Sequence, residues 1–174
     1  SSDLQHGYAQ KLTHPDLLYT PERIEQVKQR IGQDEQMTSA WKEIKQTAEK
    51  ELKGNSLNKA DYLSLAYLMT GEKVYADKLK TILLKTIEAE TWGSAEMLAR
   101  KPAWRSDLGL AHKAYLSAIA YDAVYNDLSA SERKKIAKGL YRLGVEPLLG
   151  DWLLEPVRIH SLNSMGHNWW TSCV

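Results

Sequence analysis

Residues 58–89, NKADYLSLAYLMTGEKVYADKLKTILLKTIEA, contain two runs of apolar side chains at helical spacing, separated only by Gly71. The first run, which Asn58 is placed to cap, is apolar on most sides, as is typical of a deeply buried helix. The second run, from Glu72 to about Ala89, is amphipathic. Because the connection is so short, we expect the two helices to form an antiparallel hairpin.

Similar helix signals lie on both sides of this hairpin. The Thr-Pro-Glu sequence at residues 20–22 is typical of a helix start, and it follows an expected apolar plug at residues 17–19. Further helices are predicted over residues 37–52 and 107–126, and the Ser-Ala-Ser-Glu sequence at 129–132 is a capping box that begins another. No segment alternates as a strand would. The sequence therefore predicts an all-α fold of antiparallel helical hairpins, either an open layered array or part of an (α/α) toroid.

The composition is that of an ordinary globular domain. The chain has 174 residues, 43% hydrophobic and 26% charged, which suits one helical domain over residues 1–174. The net charge of +1 and the lack of a basic run give no reason to expect a nucleic-acid partner. No apolar run approaches the roughly 20 residues that span a bilayer, so no membrane span is expected. A neutral total still allows an anionic ligand, because a cleft can concentrate positive charge.

The last stretch, residues 159–174, has the highest concentration of side chains that could bind a ligand or transfer a proton. It places two histidines, two asparagines, two adjacent tryptophans and the single cysteine in sixteen positions, IHSLNSMGHNWWTSCV. Gly166 permits a turn or a close backbone approach, His167 and Asn168 offer hydrogen-bonding groups, and Trp169 begins a pair of flat apolar rings. This mixture suits a carbohydrate site. The alternative is that the tryptophans are core residues and that Asn168 caps a helix.

A second candidate region is the long break between helices at residues 91–106. It contains two tryptophans and three cations: Trp92, Arg100, Lys101, Trp104 and Arg105. Loops on rigid scaffolds often have functional roles, although the rings could equally close the edge of the domain. His112 follows near the start of the next predicted helix, as a core or rim histidine or as a further candidate.

Known catalytic and metal-binding motifs are absent from the sequence. It contains no phosphate-binding loop, no dinucleotide fingerprint, no HExxH, no CxxC and no GxSxG. His160 and His167 are seven residues apart, with no acid in metal-ligand spacing, so no metal is expected. We likewise expect no cofactor in this chain.

Three segments resemble the heparinase II/III-like polysaccharide lyases. The opening HPDLLYTPERI, residues 14–24, is similar to the start of that family's N-terminal α/α toroid. Residues 107–149 resemble a toroid helical pair. The sequence Gly-His-Asn-Trp-Trp at 166–170 resembles the family segment that places an active-site Asn or His on a toroid helix. Together the resemblance spans most of the chain.

The resemblance implies β-elimination on an acidic polysaccharide or oligosaccharide that contains uronic acid. An Asn or protonated His neutralises the uronate carboxylate, which makes the C5 proton removable, and a Tyr usually protonates the leaving oxygen. By resemblance, Asn168 is the neutraliser and His167 is the base or a second neutraliser. The substrate-binding residues would be Trp169, Trp104, Arg105 and His160.

Two departures from the family limit what this chain is expected to do alone. The family's catalytic Tyr lies beyond Val174, and its β-sandwich domain is missing. The chain also stops in an apolar segment without a polar tail, so we expect an N-terminal fragment that is inactive alone and able to self-associate. The family reading implies a periplasmic or extracellular protein whose signal peptide has been removed.

Two other functions stay open at this stage. A helical-toroid glycoside hydrolase would need two carboxylates facing one cleft, and the candidates are Glu146, Glu155 and Asp107. A non-catalytic helical module would use its tryptophans as a platform for a glycan or a protein.

Overall fold

The computed structural model describes residues 13–153, and within them the chain is helical, with no β-strand. The all-α prediction is therefore confirmed. None of the described helices is long and apolar enough to cross a membrane. The helices are α1 (Pro21–Arg30), α2 (Glu35–Glu51), α3 (Ala60–Thr70), α4 (Lys73–Thr86), α5 (Ala95–Leu98), α6 (Leu108–Val124), α7 (Ala130–Leu140) and α8 (Glu146–Trp152).

Helices α3 and α4 pack against each other across a turn at Gly71. Gly71 has φ of 72°, a left-handed conformation that costs glycine little, and its N–H donates to the carbonyl of Tyr67 at 2.7 Å. The prediction that Asn58 caps α3 is wrong. A short 3-10 turn precedes α3, and the hydroxyl of Ser56 accepts the Asn58 N–H at its start, which places Asn58 inside the turn.

Helices α3 and α6 are the innermost pair, and they run parallel. Near their C-terminal ends, the Tyr67 hydroxyl donates to Asp127, just beyond α6. Near their N-terminal ends, Asn58 and Leu108 line the same depression. Both helices are buried along much of their length, with Leu63 of α3 and Leu110 of α6 fully enclosed. The burial of apolar side chains on these two helices contributes to the stability of the fold.

Helices α4 and α7 lie outside this pair and run parallel to each other. Lys80 of α4 forms an ion pair with Glu132 of α7 at 2.5 Å. Further along, α7 approaches α4 so closely at Gly139 that a Cβ there would lie 2.5 Å from the Cβ of Ile87. The two hairpins, α3 with α4 and α6 with α7, therefore lie side by side in the same orientation.

The opening segment packs along α6 through polar contacts. The expectation of an apolar plug at residues 17–19 is wrong for its leucines, because Leu17 is 61% exposed and Leu18 is 37% exposed. The segment is held by the buried Asp122. One of its carboxylate oxygens accepts from His14 Nδ1 at 2.6 Å, and the other accepts the backbone N–H groups of Asp16 and Leu17, each at 2.9 Å.

Candidate functional site

Two of the six predicted site residues belong to the part of the chain that the structure describes. Trp104 and Arg105 both lie in the loop before α6. The other four, His160, His167, Asn168 and Trp169, lie outside the described residues.

Trp104 is half-buried and packs against the hydrophobic core. Its backbone N–H donates to the carbonyl of Met97 at 3.0 Å, so the short helix α5 fixes its position. The guanidinium of Arg100 lies 4.2 Å from the centroid of its ring, a cation–π contact. A sugar that stacks on the Trp104 ring would therefore have to bind the face opposite Arg100 or displace the guanidinium.

Arg105 lies between two carboxylates of α8. Its Nε is 3.6 Å from Oδ1 of the fully buried Asp151, and its Nη1 is 3.8 Å from Oε1 of the half-exposed Glu146. Gly150 makes room for it, since a Cβ at that position would lie 1.8 Å from Arg105 Nη2. A uronate at Arg105 would compete with two carboxylates that the chain already supplies.

Trp92, the other tryptophan of the loop, is a core residue. It is 4% exposed, and its indole N–H donates to the carbonyl of Thr86 at 3.3 Å. A Cβ on Gly144 would lie 3.2 Å from the Trp92 ring, so the ring packs directly against the segment between α7 and α8. Trp92 therefore closes the edge of the domain as a buried ring and is not exposed to a ligand.

The carboxylates considered for a hydrolase are placed differently from a facing pair. Asp107 is 7% exposed and caps α6, because its Oδ1 accepts the Leu110 N–H and its Oδ2 accepts the Ser94 N–H, each at 2.7 Å. Glu146 faces Arg105. Glu155 lies outside the described residues. Asp107 therefore has a structural role that engages both of its oxygens.

The end of the domain where α3 and α6 begin has an open depression beside the loop. We name it the α6 groove; its volume is about 440 Å³, and it is lined by Asn58, Leu108, Gly109, His112 and Lys113. Lys113 Nζ donates to the carbonyl of Trp92 at 3.4 Å, which places this cation beside the loop. The start of α6 is already capped by the carboxylate of Asp107, so Lys113 is the groove residue that we expect to pair with a carboxylate of a ligand.

A second depression lies one helical turn further along α3. We name it the tyrosine pocket; its volume is about 210 Å³, and it is lined by Tyr19, Ile44, Asp61, Tyr62 and Leu65. Asp61 Oδ1 is buried and has no hydrogen-bond partner among the described residues. Burial, then the nearby carboxyl of Asp61, then Tyr115, raise the pKa of Tyr19 to about 12. The pocket thus combines an acceptor that needs a donor with two phenol rings.

The burial of Tyr19 gives a prediction for alkaline pH. Its pKa is about 12 in the folded chain against an ordinary value of 10.0, so the unfolded chain loses this proton first. Its contribution to stability is complete below pH 10 and is lost as the pH rises toward 12. We expect the denaturant midpoint of Tyr19→Phe to decrease less than that of wild type between pH 10 and pH 12. Tyr141→Phe, at a side chain that is 56% exposed, is the control and should leave the fall unchanged. An identical fall in wild type and Tyr19→Phe would contradict the assignment.

Several residues of these two depressions were missed from the sequence. In the sequence, Lys113, Asp61 and Tyr62 are ordinary helix positions, and Tyr19 belongs to the expected apolar plug. The spacing of Asn58 and Tyr62, and of Leu108 and His112, does place each pair on one face of a helix. Only the parallel packing of α3 and α6 shows that the two faces meet at one end.

Comparison with known proteins adds no assignment. No protein-family model matches this chain, and no curated protein is found to be similar to it. Within residues 13–153, no group of three or more His, Cys, Asp or Glu side chains is placed to hold a metal ion.

Proposed function

We propose that this chain binds acidic, uronate-containing glycans at the end where α3 and α6 begin, as the helical part of a polysaccharide lyase. The observation that carries the proposal is the α6 groove, which Lys113 lines while its Nζ donates to the carbonyl of Trp92 in the loop before α6. A polysaccharide needs an open groove with cations for its carboxylates and apolar surface for its rings. Leu108, 40% exposed, supplies apolar surface at the groove.

The side-by-side hairpins support a toroid as the complete architecture. Two successive hairpins repeat the same orientation, with α3 and α6 inside and α4 and α7 outside. Repeating this step with further hairpins would produce a curved array of helix pairs. In such an array the starts of all inner helices share one end.

The proposed chemistry is β-elimination. Asn168 hydrogen-bonds the uronate carboxylate and His167 removes the C5 proton or shares the neutralising role, while a Tyr from outside this chain protonates the leaving oxygen. The acidity of the C5 proton depends on neutralising the adjacent carboxylate. Lys113 in the α6 groove would bind the carboxylate of a neighbouring uronate unit and so position the glycan.

Binding through the α6 groove gives a prediction for this chain by itself. We expect Lys113→Ala to weaken binding of a uronate oligosaccharide about tenfold, since a hydrogen bond to a charged group contributes about 1.5–3 kcal/mol. Titration calorimetry or amide NMR measures the change, and added salt should reduce it. Lys135→Ala, at an exposed position on α7, is the matched control. Equal affinities for both variants would remove Lys113 from the site.

The reaction itself requires the protein that also contains the tyrosine. That protein is incubated with uronate polymers, and the ultraviolet absorbance of the unsaturated product is recorded. A rise in absorbance is expected for a lyase. Cleavage without that absorbance would indicate a hydrolase, and binding without cleavage would indicate a non-catalytic glycan module; either result overturns the lyase proposal.

A further inference from the structure

We propose that the tyrosine pocket is a second sugar-binding site, selective for a neutral pyranose unit that donates hydroxyl groups to Asp61. The inference deepens the proposed function and rests on it for the class of ligand, a glycan. It assigns a different role to each depression: the α6 groove receives a uronate, and the tyrosine pocket receives a unit without a carboxylate.

Asp61 has a buried carboxylate oxygen, Oδ1, without a hydrogen-bond partner among the described residues. A buried acceptor left without a donor costs about 1–3 kcal/mol, more if it is charged. A ligand hydroxyl entering the pocket would recover that cost. The oxygen therefore favours a ligand that presents donors at this position.

The surroundings of Asp61 define the rest of the ligand. Tyr19 and Tyr62 line the pocket with Ile44 and Leu65, so a ligand also meets apolar and aromatic surface. Lys59 Nζ lies 4.8 Å from the centroid of the Tyr62 ring, a cation–π contact beside the pocket. Sugar rings combine an apolar face with a ring of hydroxyl groups, and they fit such a site.

Charge distinguishes this pocket from the α6 groove. A uronate in the tyrosine pocket would place its carboxylate beside that of Asp61, and two like charges at such a distance repel. In the α6 groove the corresponding position has Lys113. Asp61 therefore disfavours a uronate in the tyrosine pocket and Lys113 favours one in the α6 groove, which suits a polymer with both acidic and neutral units.

The position of the two depressions allows one chain of sugars to reach both. Asn58 lines the α6 groove, and Asp61 and Tyr62 line the tyrosine pocket. Asn58 lies in the 3-10 turn before α3 and Asp61 lies in the first turn of α3, a separation of about 5 Å along the helix axis. Neighbouring units of one oligosaccharide are long enough to span that separation.

The test compares two probes on the 174-residue chain: a neutral glucose oligosaccharide and a uronate oligosaccharide of equal length. Amide NMR titration follows Asp61 for the pocket and Lys113 for the groove. We expect Asp61→Ala to weaken binding of the neutral probe at least about tenfold and to leave the affinity for the uronate probe unchanged. Lys113→Ala should have the opposite pattern. Asp77→Asn, on the exposed face of α4, is the control for a lost carboxylate.

The outcomes separate this inference from the proposed function. Loss of neutral-probe binding in Asp61→Ala supports the pocket even if the uronate probe never binds, a result that would overturn only the proposed function. Unchanged neutral-probe binding in Asp61→Ala, or no binding of that probe to wild type, overturns the pocket and leaves the groove intact. Asp61→Val removes both carboxylate oxygens and keeps more of the side-chain volume, so a folded Asp61→Val chain gives the same test if Asp61→Ala unfolds.

Discussion

Asp151→Ala should lower the free energy of unfolding by about 3–5 kcal/mol, the largest stability loss that we expect from a single substitution here. Asp151 is fully buried, and its Oδ2 accepts the backbone N–H groups of Arg105 and Ser106 at 2.7 Å and the Ser106 hydroxyl at 2.9 Å. Removing the carboxylate leaves these donors buried without an acceptor, and it removes a charge partner of the Arg105 guanidinium.

The control uses the other carboxylate beside the same arginine. Glu146 is half-exposed and lies 3.8 Å from Arg105, so Glu146→Gln should cost less than about 1 kcal/mol. Asp151→Asn keeps one acceptor oxygen, so its loss in free energy of unfolding should lie between those of Asp151→Ala and Glu146→Gln. Denaturant unfolding of the four chains, wild type included, measures the differences. Equal losses for Asp151→Ala and Glu146→Gln would show that the buried hydrogen bonds contribute little.

Local patterns in the sequence predicted much of the helical structure. The capping box at Ser129 is present, because the Ser129 hydroxyl accepts the Glu132 N–H and the Glu132 carboxylate accepts the Ser129 N–H. The Thr20 hydroxyl caps α1 as expected. These signals act over three or four residues, so they are visible in a single sequence without any knowledge of packing.

Long-range contacts explain why other features could not be predicted. Arg142 donates to the carbonyls of Ile87, Ala89 and Glu90 just after α4, more than 50 residues earlier in the chain. Gly139 looks like a weak point within a helix until its contact with Ile87 is known. Neither contact can be predicted from the residues that neighbour Arg142 or Gly139 in the sequence.

The candidate site depends on the same kind of information. The sequence singled out tryptophans and histidines by residue type, and the structure places Trp92 in the core. Lys113 and Asp61 have no unusual local context, since a lysine and an acid are ordinary on helix surfaces. Their interest comes from the depressions between elements. Sequence reasoning therefore located the helices well and located the polar residues between them poorly.

Asp122→Ala should release the opening segment from α6 and lower the free energy of unfolding by about 2–3 kcal/mol. Asp122 is 4% exposed and accepts hydrogen bonds from the His14 ring and from the backbone of Asp16 and Leu17. The exposed leucines of this segment contribute little burial to replace those bonds. The cost is smaller than for Asp151, because the freed backbone groups can reach water.

The consequence of this release reaches the tyrosine pocket, because the same segment positions Tyr19. Burial is the largest cause of the raised pKa of Tyr19, so the freed phenol should titrate nearer its ordinary value of 10.0. Ultraviolet titration of the phenolate, together with protease cleavage within residues 13–19, measures both effects. Asn126→Ala removes only the bond from Asn126 Nδ2 to the His14 carbonyl and should change neither. If Tyr19 in Asp122→Ala still titrated near 12, the aromatic and apolar contacts of the segment would hold it in place, and Asp122 would be a local partner of His14 with no influence on the pocket.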